Sequence, residues 1–166
     1  VFDIGANGGL YSLMASPIIG NNGRVYAFEP GAREREILQE NISINKIKNI
    51  EVIPLAVSNK SGNSIFVVSK DGAMNSLEET GHPLQNVIDR VMVETTSVDD
   101  FISQRSIKQV DYIKIDVEGA ENLVFEGMAR LIHVSEKLIV QFEACDATCG
   151  AFGYEVTDLI KKVNAM

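Results

Sequence analysis

Five acidic residues stand where they could act together on a bound ligand. Each lies at or just after the end of a short apolar run: Asp3, Glu29, Asp116, Glu118 and Glu143. If these runs are parallel strands, their carboxyl ends share one edge of a sheet, which is where open α/β sheets bind ligands. A single acid at a strand end often only caps the next helix. Five such acids together predict a site for a cationic ligand.

The turn after the first apolar run indicates which ligand this is. Residues 3–9, with the sequence D-I-G-A-N-G-G, have the order strand, glycine turn, helix, which leaves main-chain N–H groups open to a ligand. The dinucleotide pattern G-x-G-x-x-G fails, because Asn7 and Leu10 stand at two of its glycine positions. Asp3 would also repel a pyrophosphate and attract an ammonium or sulfonium group. With Glu29 placed for ribose hydroxyls, the pattern favours S-adenosylmethionine over NAD.

Alternating segments predict the elements that position these residues. Parallel strands are expected over residues 1–4, 24–29, 50–57, 110–117 and 137–142. Helices are expected over residues 10–19 with an interruption at Pro17, over 32–44, from an N-cap at Ser97 onward, over 119–132 and over 154–163. This alternation is typical of an α/β fold with a mostly parallel central sheet and helices on both faces.

A long polar loop interrupts the alternation. Two further strands, over 64–69 and 91–96, flank the polar segment 70–89. Because a loop of this length within a compact domain is usually functional, we expect it to contact the substrate.

Composition restricts the class of protein. With 166 residues, 45% apolar and 23% charged, the chain is expected to form a single globular domain. Its net charge of −8 disfavours nucleic acid as a partner, and no apolar run is long enough for a membrane span. Cys145 and Cys149 form no disulfide framework, which together with the lack of a signal peptide predicts a cytoplasmic location. Val1 falls inside the first predicted strand, so we expect a fragment or the ordered part of a longer chain.

Three stretches together resemble a known family. Residues 1–12, 25–30 and 113–121 are similar to the FkbM family of S-adenosylmethionine-dependent methyltransferases, and residues 56–58 and 96–101 agree with it. The similarity runs in consistent order from residue 1 to about residue 143. It implies a Rossmann-like class I methyltransferase fold. It also implies O-methylation of a hydroxyl on a sugar, polyketide or related small molecule, with a small-molecule or carbohydrate acceptor as partner.

The resemblance assigns roles to individual residues. It implies that the methionine part of S-adenosylmethionine is held by Asp3, Gly5, Asn7 and Gly9. It further implies that Glu29 takes the ribose diol and that Ala56 lines the adenine pocket. These six residues are the predicted cofactor site.

The resemblance also indicates the catalytic residues. It directs Asp116 and Glu118 toward the methyl group and the acceptor, and Glu143 is the third candidate for a general base. Two departures from the family leave the identity of that base open. Ala144 and Cys145 stand where many relatives have a histidine, and only a helix follows where a terminal antiparallel hairpin is expected.

Three alternatives remain at this stage. An NAD-dependent oxidoreductase is disfavoured by the missing glycines. A degenerate methyltransferase-like binding module would keep the glycine turn and Glu29 and lack only catalysis. The acidic residues could instead hold a divalent cation, but their spacing is not decisive, and we predict no metal.

Overall fold

Two sheets form the framework of the molecule. The computed structural model describes residues 1–166. Its strands are β1 (Phe2–Ile4), β2 (Val25–Phe28), β3 (Ile50–Ile53), β4 (Ala56–Val57), β5 (Gly62–Ser69), β6 (Val87–Thr96), β7 (Tyr112–Ile115) and β8 (Ile139–Phe142). The central sheet has the order β3-β2-β1-β7-β8, and every neighbouring pair in it is parallel. The predicted parallel α/β sheet is therefore confirmed.

The prediction of one strand over residues 50–57 is wrong. The chain leaves the central sheet after Ile53, and β4 pairs instead with β6 in a second sheet of order β4-β6-β5. Pro54 lies at the break and has no N–H to donate to a sheet ladder, which favours the end of the strand at this point. The two strands expected around the polar loop are confirmed as an antiparallel pair, and the loop between them covers residues 70–86.

Seven helices accompany the strands, five of them between strands and the last two after β8. They are α1 (Leu10–Ile19), α2 (Ala32–Ile44), α3 (Val98–Arg105), α4 (Glu121–Glu126), α5 (Ala129–Val134), α6 (Asp146–Cys149) and α7 (Val156–Asn164), with a 3-10 turn at Gly150–Phe152. The predicted cap of α3 is confirmed, because Ser97 Oγ accepts a hydrogen bond from Asp100 N at 3.0 Å.

Two helix predictions need correction. α1 is not interrupted at Pro17, which lies inside it; Asn49 donates to the carbonyl oxygens of Ser16 and Gly20 and so supports this end of the helix. The helix predicted over 119–132 is divided into α4 and α5. The division falls at Gly127, where a Cβ would lie 2.2 Å from Ser58 O, so the chain here must pass directly against another backbone.

Side-chain alternation gives the central sheet two different faces. One face carries the main apolar core, in which the rings of Phe2, Phe28 and Phe101 meet edge to face, with centroids 4.8–5.8 Å apart. The other face packs on α1 and α2 through a smaller cluster of Ala27 and Leu38. Helices therefore cover both faces, as predicted. None of the helices is long and apolar enough to span a bilayer.

Candidate functional site

The glycine turn is clamped between the ends of three strands. Gly5 N and Ala6 N both donate to Phe28 O, at 3.1 and 2.9 Å, which ties the turn to β2. Gly5 has φ +75°, and a Cβ there would lie 1.8 Å from Asp116 O at the end of β7. Only glycine fits this position, because both the backbone angle and the close approach exclude a side chain.

A cavity of about 240 Å³ lies beside this turn. The structure brings six of the predicted site residues to its wall: Gly5, Asn7, Glu29, Ala56, Asp116 and Glu118. Apolar side chains complete the wall: Ile4, Phe28, Leu55, Val57, Phe66 and Leu77. The cavity therefore combines carboxylates with an extensive apolar surface, which is the combination expected for a ligand with a flat base and a cationic group.

Glu29 is a buried acid with both oxygens already engaged. Its side chain accepts hydrogen bonds from Asn7 N and Gly31 N, each at 2.8 Å. Burial, and to a smaller extent the charge of Glu34, raises the pKa of Glu29 to about 7 against the opposing effects of the two backbone hydrogen bonds and Arg35. A carboxylate has acceptor sites beyond two, so Glu29 can still receive hydroxyl donors from a ligand.

Three carboxyl groups converge at the ends of β7 and β8. One oxygen from each of Asp116, Glu118 and Glu143 lies within 4.8 Å of the others. Burial, and then the charges of Glu143 and Asp116, raises the pKa of Glu118 to about 8. Burial and the neighbouring Asp116 also raise the pKa of Glu143. This arrangement can accept a proton or a cation.

Lys114 is the cation closest to this cluster, and it is already paired. Its buried ammonium lies 3.3 Å from Asp116 Oδ2 and 3.5 Å from Asp3 Oδ1, and it donates to Gly5 O at 2.8 Å. Lys114 thus links the carboxylates to the glycine turn. Side-chain alternation along β7 places Lys114 and Asp116 on the same face, which accounts for this pairing.

Two predicted cofactor residues lie behind the turn and do not line the cavity. Asp3 is buried, and its Oδ2 accepts from Ser12 Oγ of α1 at 2.6 Å. Gly9 begins α1 with φ +91°, and a Cβ on it would lie 2.2 Å from Leu38 Cδ1. In this structure both residues shape the turn through packing, and neither lines the cavity.

The polar loop supplies wall residues that the sequence did not single out. Asn7 Nδ2 donates to Gly72 O at 3.2 Å, and Ser76 Oγ donates to Glu118 O at 2.8 Å. Residues 72–77, together with Phe66, therefore close one side of the cavity. The length and polarity of the loop indicated that it is functional. Nothing in the sequence distinguished the residues that line the cavity from the rest of the loop. His82 is absent from the cavity wall, and its Nδ1 accepts from Leu84 N.

Comparison with known proteins gives consistent results. A family profile described as "Methyltransferase FkbM domain" matches residues 3–165. "Methyltransferase 1" of Beauveria bassiana is 23% identical over 145 residues, covering 77% of this chain and 57% of that protein. The hexuronic acid methyltransferase AglP of Haloferax volcanii is 27% identical over 146 residues, covering 87% of this chain and 56% of that protein.

A solved structure supports the fold. The crystal structure of "Methyltransferase FkbM" from Methylobacillus flagellatus superposes with a TM-score of 0.61 at 20% identity, over 99% of this chain and 35% of that chain. At this identity the likeness shows the fold alone. The chain spans a little more than half the length of these curated relatives.

Proposed function

Because the chain belongs to the FkbM methyltransferase family, we propose that it transfers the methyl group of S-adenosylmethionine to a hydroxyl on a sugar, polyketide or related small molecule. The observation that carries this proposal is the cavity, whose wall joins the glycine turn, Glu29 and Ala56 to Asp116 and Glu118. These residues come from separate parts of the chain, and a ligand that filled the cavity would contact all of them.

The residues of the cavity suit this cofactor. Glu29 offers a carboxylate for the ribose diol, and Ala56 lies in the apolar part that suits a purine. Asp116 and Glu118 provide negative charge for the sulfonium and ammonium groups. Gly5 and Asn7 line both this cavity and a second one of about 450 Å³ on the other side of the turn, and they would hold the methionine part. Asp3 would act behind them, by fixing Lys114.

The carboxyl cluster would serve the acceptor. When bound, S-adenosylmethionine supplies an electrophilic methyl group, and the main task of the protein is to position an oxygen nucleophile against it. Glu118 is the best candidate for the general base, because a carboxylate with a pKa of about 8 takes a proton more readily than an ordinary one. Asp116 would hold the acceptor hydroxyl, with its own charge balanced by Lys114. Glu143 would act on Glu118 through its charge.

The charge of the acidic cluster also affects which acceptors can bind. The Haloferax relative is described as a hexuronic acid methyltransferase, which supports a sugar hydroxyl as the acceptor class. In this chain, Asp116, Glu118 and Glu143 would face the acceptor and would repel a carboxylate on it. We therefore expect neutral sugars to be better acceptors than uronic acids, and the polar loop to contact them.

The proposal is tested in two steps. Calorimetric titration should detect binding of S-adenosylmethionine and S-adenosylhomocysteine, and no binding of NADH at the same concentrations. Transfer of a labelled methyl group is then measured on a panel of neutral and uronic acid glycosides and polyketides. Failure to bind either adenosyl ligand would overturn the proposal. Binding without transfer to any acceptor would instead favour a methyltransferase-like binding module.

A further inference from the structure

Asn75 carries a buried amide group without a hydrogen-bond partner. Its Nδ2 atom is shielded from solvent and makes no hydrogen bond within the protein. Leaving a buried donor unpaired costs about 1–3 kcal/mol, so such a group in a native structure needs an explanation. The residue belongs to the loop segment that closes one side of the cavity.

Hydrogen bonds from Ser69 fix the orientation of this amide. Asn75 Oδ1 accepts from Ser69 N at 2.7 Å and from Ser69 Oγ at 3.1 Å. Exchanging the oxygen and nitrogen of the amide would set an NH₂ group against the backbone N–H of Ser69, which has no acceptor to offer. Nδ2 is therefore the free end of the side chain, and Ser69 holds it there.

The free donor lies next to the predicted ribose acceptor. Asn75 Nδ2 is 3.4 Å from the point that a Cβ on Gly31 would occupy, and the carboxylate oxygens Glu34 Oε2 and Glu29 Oε1 are 2.4 and 2.9 Å from the same point. Of the two acids only Glu29 lines the cavity, as Asn75 does. A donor beside an acceptor is complementary to a hydroxyl group, which gives one hydrogen bond and receives another. A vicinal diol would satisfy both Glu29 and Asn75.

We propose that Asn75 Nδ2 donates a hydrogen bond to a ribose hydroxyl oxygen of the nucleoside whose diol Glu29 holds. Asn75 is thus a binding residue that selects ribonucleosides, supplied by the loop and not by the central sheet. This inference rests on the proposed function, since it requires an adenosyl ligand in the cavity. It also gives the buried donor of Asn75 a hydrogen-bond partner.

The test compares adenosine with 2′-deoxyadenosine and 3′-deoxyadenosine, using calorimetry in which each nucleoside displaces S-adenosylhomocysteine. For Asn75→Ala we expect about fivefold weaker binding of adenosine, corresponding to one neutral hydrogen bond of about 1 kcal/mol. With the one deoxynucleoside that lacks the bonded hydroxyl, the same substitution should change affinity less than about twofold. Ser69→Ala is the matched control, because it disturbs the same loop but leaves Ser69 N to orient the amide; its effect should be equal for all three nucleosides.

The outcomes separate this inference from the proposed function. If wild-type protein binds S-adenosylhomocysteine but Asn75→Ala weakens all three nucleosides equally, or none, the assignment of Asn75 is wrong and the proposed function stands. If wild-type protein binds no adenosyl ligand, both are overturned. A loss confined to nucleosides that carry one particular hydroxyl supports the inference, and it cannot arise from general disorder of the loop.

Discussion

The charge of Glu29 should control how tightly a nucleoside binds. Burial raises its pKa to about 7, so near neutral pH much of the free protein carries the protonated form. Two ribose hydroxyls donate to the carboxylate and favour its ionised form. Binding should therefore lower the pKa of Glu29 and release protons.

The size of the effect follows from that pKa. If only ionised Glu29 binds well, the competent fraction rises from roughly 9% at about pH 6 to roughly 91% at about pH 8, so affinity should rise about tenfold and then level off. The stability of the free protein should change with pH in the opposite direction. Because the folded pKa lies above the ordinary value of 4.5, the contribution of Glu29 to stability is complete below 4.5 and is lost as pH rises through about 7.

The assay is calorimetric titration with adenosine, which has no ionisable group in this pH range and does not extend to the sulfonium position. Glu29→Gln is the matched control, since it keeps the shape of the side chain; its binding should be weak and independent of pH. Repeating the titration in buffers of different ionisation enthalpy measures the released protons. A wild-type affinity that stays constant across this pH range, or an equal rise in Glu29→Gln, would refute the reasoning.

Three further predictions concern the acids near β7. In the wild type, kcat should rise with pH up to about 8, and Glu118→Gln should remove that rise and lower kcat about 100-fold. Glu143→Gln should shift the rise to lower pH, because the charge of Glu143 helps to raise the pKa of Glu118. An unshifted profile would show that the charge of Glu143 does not act on Glu118. Asp3→Ala should lower the free energy of unfolding by about 3 kcal/mol, measured by urea titration. This is the lower end of the range for breaking a buried ion pair, because Lys114 would still be paired with Asp116. No change would show that Asp3 contributes nothing to the stability of the turn. EDTA should leave turnover unchanged, because Lys114 and the raised pKa of Glu118 reduce the charge of the cluster, and a loss restored by Mg²⁺ would show that a metal is required.

Strong local signals account for what could be predicted. The glycine turn was recognisable because its backbone angles require glycine within a few residues of a strand end, and Gly5 indeed has a positive φ. The acids were recognisable because strand ends in a parallel sheet share an edge. Ser97 was identified as a cap because its short polar side chain precedes two acids, and it accepts from Asp100 N as expected.

Features that depend on distant parts of the chain could not be predicted. The single strand expected over residues 50–57 was wrong because β4 leaves the central sheet to pair with β6, which lies some forty residues away in the chain. The division between α4 and α5 likewise depends on the contact of Gly127 with Ser58. The length of the polar loop indicated that it is functional, but no local pattern distinguished the residues that close the cavity, Gly72, Ala73 and 75–77, from the rest of it.

The sequence by itself determined the order of strands and helices, the glycine turn and the acids at the strand ends, because each depends on backbone preferences within a few residues. Only the tertiary structure decided which of those acids face a ligand. Alternation along β1 sets Asp3 opposite Phe2 and Ile4, and packing of α1 on that face buries it behind the turn. Glu29 and Glu118, which follow the ends of β2 and β7, lie on the cavity wall, where burial raises their pKa values. Burial and charge proximity are sums over the whole fold, so no local pattern can specify them.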